Sequence, residues 1–339
     1  MRKPSLRKDQ LVKIFDSFNS LNVLIIGDVM VDAYLWGNVS RISPEAPVPI
    51  LAVNKKEKRL GGAANVALNV QAMGANPILC SVIGVDHEGT QFLDLLRSQK
   101  LSQKGILKSR DRVTTIKTRV IGNNQQMIRV DEETEEDVHP NESATLLQLI
   151  SYIIAHDKID VIIFEDYNKG LITPKLIQKV VELARSKGIP TAVDPKKKNF
   201  TAYKGVTLFK PNLKELREGL KMDFDMENVS EIQRAISSFR VKQKFETAIV
   251  TLSERGILTN SRKVKEHLPA HIRNISDVSG AGDTVISVAS LCRALELHPV
   301  VTAALANLAG GLVCEQIGVV PVEKDRLFQE ALKLEFVKK

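Results

Sequence analysis

Short apolar runs recur along this chain, and most of them stop on a polar residue. They are LNVLIIGD (21–28), ILCSVIG (78–84), VIIFED (161–166), PTAVD (190–194), VTLFKPN (206–212) and TAIVTLS (247–253). Runs this short and this continuously apolar read as strands buried on both faces. Between them lie segments of helical period, at 63–73, 88–99, 142–156, 174–187, 213–220 and 229–240. Buried strands alternating with helices predict an α/β fold: a doubly wound, mostly parallel sheet flanked by helices. In such sheets ligands sit outside the carboxyl ends of the strands. Those ends carry Asp28, Asp166, Asp194, Asn212 and Ser253.

Two segments break the alternation. WGNVSRISPEAPVPILAVNKKEKRL (36–60) carries Pro44, Pro47 and Pro49, and proline discourages helix. TTIKTRVIGNNQQMIRVDEE (114–133) alternates apolar and polar residues around Gly-Asn-Asn, the pattern of a hairpin with one wet face. Together they predict a small β lid, about 36–60 and 114–131, inserted in a single domain spanning 1–339. No linker rich in Pro, Gly or Ser divides the chain, and no internal repeat is visible. Strands in a lid expose edges, and pairing between two subunits covers them, so a homodimer joined through the lid is expected.

Composition narrows the function classes. The chain is 43% hydrophobic and 26% charged, ordinary for a globular protein. No apolar stretch approaches the roughly 20 residues of a membrane span. The N-terminus, MRKPSLRKDQLVKIFDSF, is basic but lacks the continuous apolar region of a secretory signal, so a cytoplasmic protein with no membrane partner is expected. Net charge is +8, yet the basic residues are scattered and no aromatics interleave with the densest runs, KKEK and KKK. That argues against a nucleic-acid surface and suits small anionic substrates. Cys80, Cys292 and Cys314 lie far apart in apolar contexts and read as buried thiols.

The stretch SDVSGAGDTVISVAS (276–290) sets Gly280, Ala281 and Gly282 directly before Asp283 and an apolar run. Val285, Val288, Ala289, Cys292 and Leu295 share one helical face, so a helix starts here. Free N–H groups at a helix start bind anions, and glycine lets a ligand approach the backbone. Charge developing on a transferring phosphoryl group is stabilised in such a place. Asp283, in the first turn, is placed to accept a proton from an attacking hydroxyl. The bland alternative is an acid offsetting the helix dipole beside small residues that allow close packing.

Other motifs add weight. GGAANVALNV (61–70) is a second glycine pair opening an apolar helix, with Asn65 and Asn69 on one face; such amides suit sugar hydroxyls, which both donate and accept. GDVMVD (27–32) ends a buried strand with Asp28 and Asp32, either of which also suits a turn cap. In KPNLKE (210–215), Asn212 and Glu215 fit a capping box, and equally fit residues that hold Mg²⁺ through its waters. TLSERG (251–256) is a polar turn that suits nucleotide phosphates or an ordinary hairpin.

Gly61-Gly62-Ala63-Ala64-Asn65 together with Asp277-x-Ser279-Gly280-Ala281-Gly282-Asp283 resembles the ribokinase-like (PfkB) carbohydrate kinases, from about Leu21 to about Pro321. Within that family, GDVMVDAYLWG, SRISPEAPVPIL, KTRVIGNNQQMIRVDEE, EDYNKG and VDPK resemble the D-glycero-β-D-manno-heptose-7-phosphate kinase branch. The run Arg41 to Pro49 is the most telling, because generic sugar kinases lack it. The resemblance implies ATP-dependent phosphorylation of the anomeric hydroxyl of heptose 7-phosphate, an early step toward the ADP-heptose of lipopolysaccharide. It implies Asp283 as base and Gly280, Ala281 and Gly282 as anion hole. Asp32, Gly61, Gly62 and Asn65 would hold the sugar. Asn212 and Glu215 would act on Mg²⁺, while Ser253, Gly256 and Asn307 would lie near the nucleotide. Some members use a monovalent cation near the Asp277 region, which this sequence leaves open.

The substrate's phosphate needs cations, and Lys117, Arg119, Arg129 and Lys169 are candidates, with Asp166 beside them and Lys196 reaching toward substrate phosphate or nucleotide. Three positions depart from the branch: Ala33 stands where arginine is expected, Lys197 where glycine is, and Glu165 where serine is common. Many members are fused to a nucleotidyltransferase with a His-rich motif. Nothing after Gly318 supplies it, so a separate partner enzyme is expected downstream. The competing readings are a kinase for another sugar, sugar phosphate or nucleoside, and a non-catalytic binding protein on the same fold. A dehydrogenase is disfavoured, since GDVMVD stands where G-x-G-x-x-G would follow the first strand.

Overall fold

The computed structural model describes residues 4–271 and 273–338. Its body is a nine-stranded sheet. In spatial order the strands are Lys265–Leu268, Ile257–Ser261, Thr247–Thr251, Leu208–Phe209, Thr191–Asp194, Val161–Glu165, Asn22–Gly27, Asn76–Gly84 and Gly105–Ser109. All neighbours from Thr247–Thr251 onward are parallel, and the first two strands join as an antiparallel edge.

Side chains alternate across a strand, so each buried strand feeds two cores. Val23, Ile25, Val161 and Ile163 face the helices Lys8–Phe18, Ala63–Ala72, Ala281–Ala294 and Pro299–Val313. Leu24, Ile26, Ile162 and Phe164 face Pro140–His156, Pro174–Ser186 and Val229–Gln243 on the other side. This explains the unbroken apolar runs. Pro140 and Pro174 open their helices where a missing N–H costs nothing.

The expected strands fall close to their observed limits, with one exception. The run 206–212 yields only Leu208–Phe209. Pro211 has no N–H to give a ladder, and Asn212 already caps the helix Leu213–Leu220. Gly105–Ser109, Lys8–Phe18 and Pro299–Val313 were outside the alternation read from sequence, the first because its short run GILKS mixes polar and apolar residues.

Four further strands form a second sheet in the order Pro49–Gly62, Val29–Ile42, Ile116–Gly122, Gln125–Glu132. Its strands take up most of the expected ranges 36–60 and 114–131, leaving 43–48, 114–115 and the turn at 123–124 outside, and the sheet starts earlier, at Val29. The chain leaves the body strand at Gly27 and enters the second sheet at Val29, so Asp28 is the hinge residue between them. Asn123 and Asn124, both at positive φ (51° and 65°), make the two-residue hairpin turn that Gly-Asn-Asn announces. Ile42, Val53, Ile128 and Val130 are exposed on this sheet. The three cysteines are buried and unpaired. Among the described residues, no helix is long and apolar enough to cross a membrane.

The topology locates a crevice. From Asn22–Gly27 the chain builds outward to Asn76–Gly84 and Gly105–Ser109, then returns to pair Val161–Glu165 on the first strand's other side. The order therefore reverses between Gly27 and Glu165, which are register partners. Ligands of doubly wound sheets bind outside such a switch point.

Candidate active site

Gly280 takes the left-handed conformation (φ 78°) and starts the helix Ala281–Ala294. A Cβ there would stand 2.9 Å from Asn65 Nδ2. Gly282 faces the strand ends: its missing Cβ would lie 3.5 Å from Lys210 Nζ and 3.6 Å from Asp194 Oδ2. Asp283 is buried in the first turn. Its Oδ2 accepts from Asn65 Nδ2 at 2.7 Å and its Oδ1 from the Tyr167 hydroxyl at 2.9 Å. Burial pushes this carboxyl up to about 6, while the two donors pull it down. A base with that value is charged at neutral pH and able to take up a proton.

The paired amides of the second glycine motif work inward. Asn69 Oδ1 accepts from Thr284 Oγ1 (3.0 Å) and from the Val322 amide (3.1 Å). Asn69 Nδ2 donates to the Asn65 carbonyl at 3.0 Å. Asn69 is thus spent on joining two helices and the C-terminal segment, not left for sugar hydroxyls as its face suggested. Asn65 orients Asp283.

At the carboxyl strand ends, Glu165 is fully buried and neither of its carboxylate oxygens has a hydrogen-bond partner. One oxygen each of Glu165, Asp194 and Asp283 lies within 4.8 Å of the others. Burial, then the charges of Asp194 and Asp283, push the Glu165 carboxyl well above the usual range. Lys210, also buried, donates to Asp194 Oδ2 at 2.7 Å. Lys196 reaches Glu215 Oε1 and lies 3.6 Å from Asp194 Oδ1. Asn212 and Glu215 form the reciprocal capping box, each side chain accepting from the other's amide at 2.8 Å.

The loop after Val161–Glu165 is fixed by Asp28, which accepts from the amides of Tyr167, Lys169 and Leu171. Asp166, expected beside the substrate, is buried; it accepts from the Asn168 amide, Asn199 Nδ2 and the Tyr203 hydroxyl. On the second sheet Arg119 donates to Asp32. Gly61 must lack a side chain, since a Cβ would fall 2.2 Å from Asp32 Oδ2. Gly62, at φ 59°, turns the strand into the next helix. The other basic candidates are also held by carboxylates: Lys117 by Asp131 and Glu133, Arg129 by Asp131, Lys169 by Glu133 and Glu135.

Ser253 and Gly256 occupy the tight turn of the antiparallel hairpin Thr247–Thr251 to Ile257–Ser261. Gly256 has φ 90°, and a Cβ would lie 2.1 Å from the Leu268 carbonyl oxygen. Asn307 donates to the Pro269 carbonyl at 2.9 Å. It lines a cavity of about 640 Å³ with Leu268, His271, Val300 and Phe336. Asp277 accepts from the amides of Ser279 and Gly318. Its burial is outweighed by those bonds, and the carboxyl is held below its ordinary value.

Sequence reasoning did not single out Tyr167 or Lys210, and marked Glu165 only as a departure. Lys210 offered a signal: a lysine closing the apolar run VTLFK is buried with it and must find an anion.

A buried carboxylate at a glycine-rich helix start, with Lys196 and Lys210 at the neighbouring strand ends, has the makings of a group-transfer site. The sequence matches the pfkB family carbohydrate kinases over residues 20–325, and the chain belongs to that family. Its fold is the ribokinase-like α/β fold. The chain is 35% identical over 319 residues to the "Bifunctional protein HldE" of Geobacter sulfurreducens, covering 92% of this chain and 63% of that protein. The protein of the same name from Helicobacter pylori (strain P12) is 38% identical over 297 residues, with 87% and 63% covered. The chain therefore spans somewhat less than two thirds of these curated relatives. Among solved structures, the tetrameric inhibited form of phosphofructokinase-2 from Escherichia coli superposes with a TM-score of 0.76 at 14% identity, covering 92% of this chain and 99% of that one. Arabidopsis thaliana ribokinase complexed with ribose and ATP gives 0.70 at 14% identity, with 93% and 99% covered.

Proposed function

We propose that this chain transfers the terminal phosphoryl group of ATP to the anomeric hydroxyl of D-glycero-β-D-manno-heptose 7-phosphate, giving the 1,7-bisphosphate. The observation that carries the reading is Asp283, buried beside Gly280–Gly282 and aimed by Asn65 and Tyr167. In this reading the Asp283 carboxylate accepts the proton of the acceptor hydroxyl as its oxygen bonds to phosphorus and ADP leaves. Amides of the helix start and the Lys210 ammonium offset the charge that builds on the transferring group. Asn307 and its cavity suit the base of the nucleotide, with Ser253 and Gly256 on the turn nearby.

A divalent ion accompanies ATP in such a reaction and neutralises phosphate charge. The donor set at the strand ends suits it, being carboxylate oxygens of which three have no hydrogen-bond partner, both of Glu165 and Oδ1 of Asp194. Glu165 and Asp194 would hold it directly, and Asn212 and Glu215 through water.

The substrate choice rests on the branch motifs. The run Arg41 to Pro49 forms the far end of the hairpin between Val29–Ile42 and Pro49–Gly62. There the second sheet acts as a lid, and Lys117, Arg119, Arg129 and Lys169 exchange their carboxylate partners for the substrate's 7-phosphate when it arrives. The test is ADP release across phosphorylated and unphosphorylated heptoses and hexoses. Heptose 7-phosphate should exceed every other acceptor in kcat/KM by about a hundredfold or more, the discrimination that a site built to bind a polar substrate group imposes on an analogue lacking it. Equal rates with unphosphorylated heptose, or a higher rate with a hexose phosphate, would overturn the assignment.

A further inference from the structure

We propose that Arg112 binds the acceptor's phosphate and sets the preference for a phosphorylated sugar, an inference that rests on the reading given above and adds a residue to it. Arg112 lies between the strands Gly105–Ser109 and Ile116–Gly122 and is partly buried. Its Nη2 donates to the carbonyl of Lys169. Its other four N–H groups make no hydrogen bond among the described residues. Asp28 and Glu142 are the carboxylates that act on it, and neither bonds to it. The basic candidates named so far stand differently. Lys117, Arg119, Arg129 and Lys169 bring four positive charges, and their partners Asp32, Asp131, Glu133 and Glu135 bring four negative ones. That cluster is neutral, and a phosphate that displaces one of its carboxylates leaves the carboxylate unpaired nearby. Arg112 gives up no carboxylate when an anion arrives.

The backbone presents this side chain from a fixed loop. The Asp111 amide donates to Ser109 Oγ at 3.1 Å, and the Thr114 amide to Asp86 Oδ2 at 2.7 Å. The Thr115 carbonyl accepts from the Val31 amide at 2.9 Å, which ties the loop to the second sheet. The position also suits the far end of the acceptor. The Tyr167 hydroxyl is on Asp283, its own amide is on Asp28, and Lys169 follows two residues later. One tyrosine side chain therefore separates the proton-accepting carboxylate from the loop that Arg112 touches. In heptose 7-phosphate the phosphate sits at the end opposite the anomeric hydroxyl, so a sugar with that hydroxyl at Asp283 extends its phosphate toward this loop. A guanidinium fork takes two phosphate oxygens at once. Burial lowers the pKa of this guanidinium, with Asp28 and Glu142 opposing, and a partly desolvated charge without a paired anion gains from one.

The experiment measures kcat and KM of Arg112→Gln by ADP release, with heptose 7-phosphate and with unphosphorylated heptose, and records melting temperatures alongside. The ratio of the two kcat/KM values should fall by about tenfold or more from that of the wild type, through the KM of the phosphorylated acceptor, as loss of a charge-assisted contact requires. A residue that only steadied the Lys169 loop would lower both acceptors alike and leave the ratio unmoved. Arg110→Gln, an exposed control two residues away, should keep the wild-type ratio. Arg112→Lys keeps the charge without the fork; its ratio should fall by less, and it carries the comparison should the glutamine variant fold poorly. An unmoved ratio in both Arg112 variants, or an equal fall in Arg110→Gln, would overturn the proposal while a wild type that prefers heptose 7-phosphate upholds the reading above. A wild type without that preference would remove both.

Discussion

Replacing Tyr167 with Phe removes one hydroxyl from Asp283 and leaves most of the ring in place. In the wild type Asp283 accepts one donor on each oxygen, Tyr167 at 2.9 Å and Asn65 at 2.7 Å, and burial sets its carboxyl at about 6. Both donors favour the charged form, so losing one raises the value further. A hydrogen bond to a charged group contributes about 1.5–3 kcal/mol, and 1.36 kcal/mol corresponds to one pH unit, so the acid limb should climb by about one to two units. The sign follows from the chemistry: only the ionised carboxylate accepts the acceptor's proton, so activity is lost on the acidic side. Turnover of Tyr167→Phe should fall steeply near pH 6 and recover most of the wild-type rate only near pH 9. The contact of Lys196 with the ring, at 5.4 Å, should survive in Phe. The assay is coupled ADP release over about pH 5 to 9, with kcat and kcat/KM fitted separately. An unmoved limb, or a uniform loss at every pH, would refute the role given to this hydroxyl.

Three further outcomes are expected. Gly280→Ala forces a left-handed alanine whose Cβ meets Asn65 Nδ2, so stability should drop by about 1–2 kcal/mol in urea unfolding and turnover should fall with it. Asn212→Ala removes half of the capping box and should cost about 1 kcal/mol of unfolding free energy, read by the same method. Charge at an exposed apolar position of the second sheet, Ile128→Glu, should shift a homodimer to monomer in analytical ultracentrifugation; a monomeric wild type would remove the lid interface altogether.

Much of the body was legible because its strands are buried on both faces and its helices keep an apolar helical period. Periodicity finds such elements but not their neighbours. That Val161–Glu165 pairs with Asn22–Gly27 rather than with Gly105–Ser109 is a matter of sheet order, and only that order brings Glu165, Asp194 and Lys210 to Asp283. The cluster was therefore hidden, although each of its parts stands at the end of a visible run. Motif reading located Gly280–Asp283 and Gly61–Asn65, which the fold sets side by side. It was less informative about individual polar side chains. Asn69 and Asp166 are polar for internal reasons, satisfying buried donors and acceptors of the scaffold, and spacing alone does not separate that duty from ligand binding. The second sheet began earlier than expected because VMVDAYLW runs on from Gly27 with only Asp28 between the two sheets, and no turn residues mark the change.

The most direct test of the account is the turnover of Asp283→Asn, measured together with nucleotide affinity by calorimetry. Loss of the base should lower kcat by about 10²–10⁴-fold while nucleotide affinity and the melting profile stay near those of the wild type. Turnover close to wild type in a folded Asp283→Asn protein would contradict the central claim that this carboxylate takes the proton from the sugar.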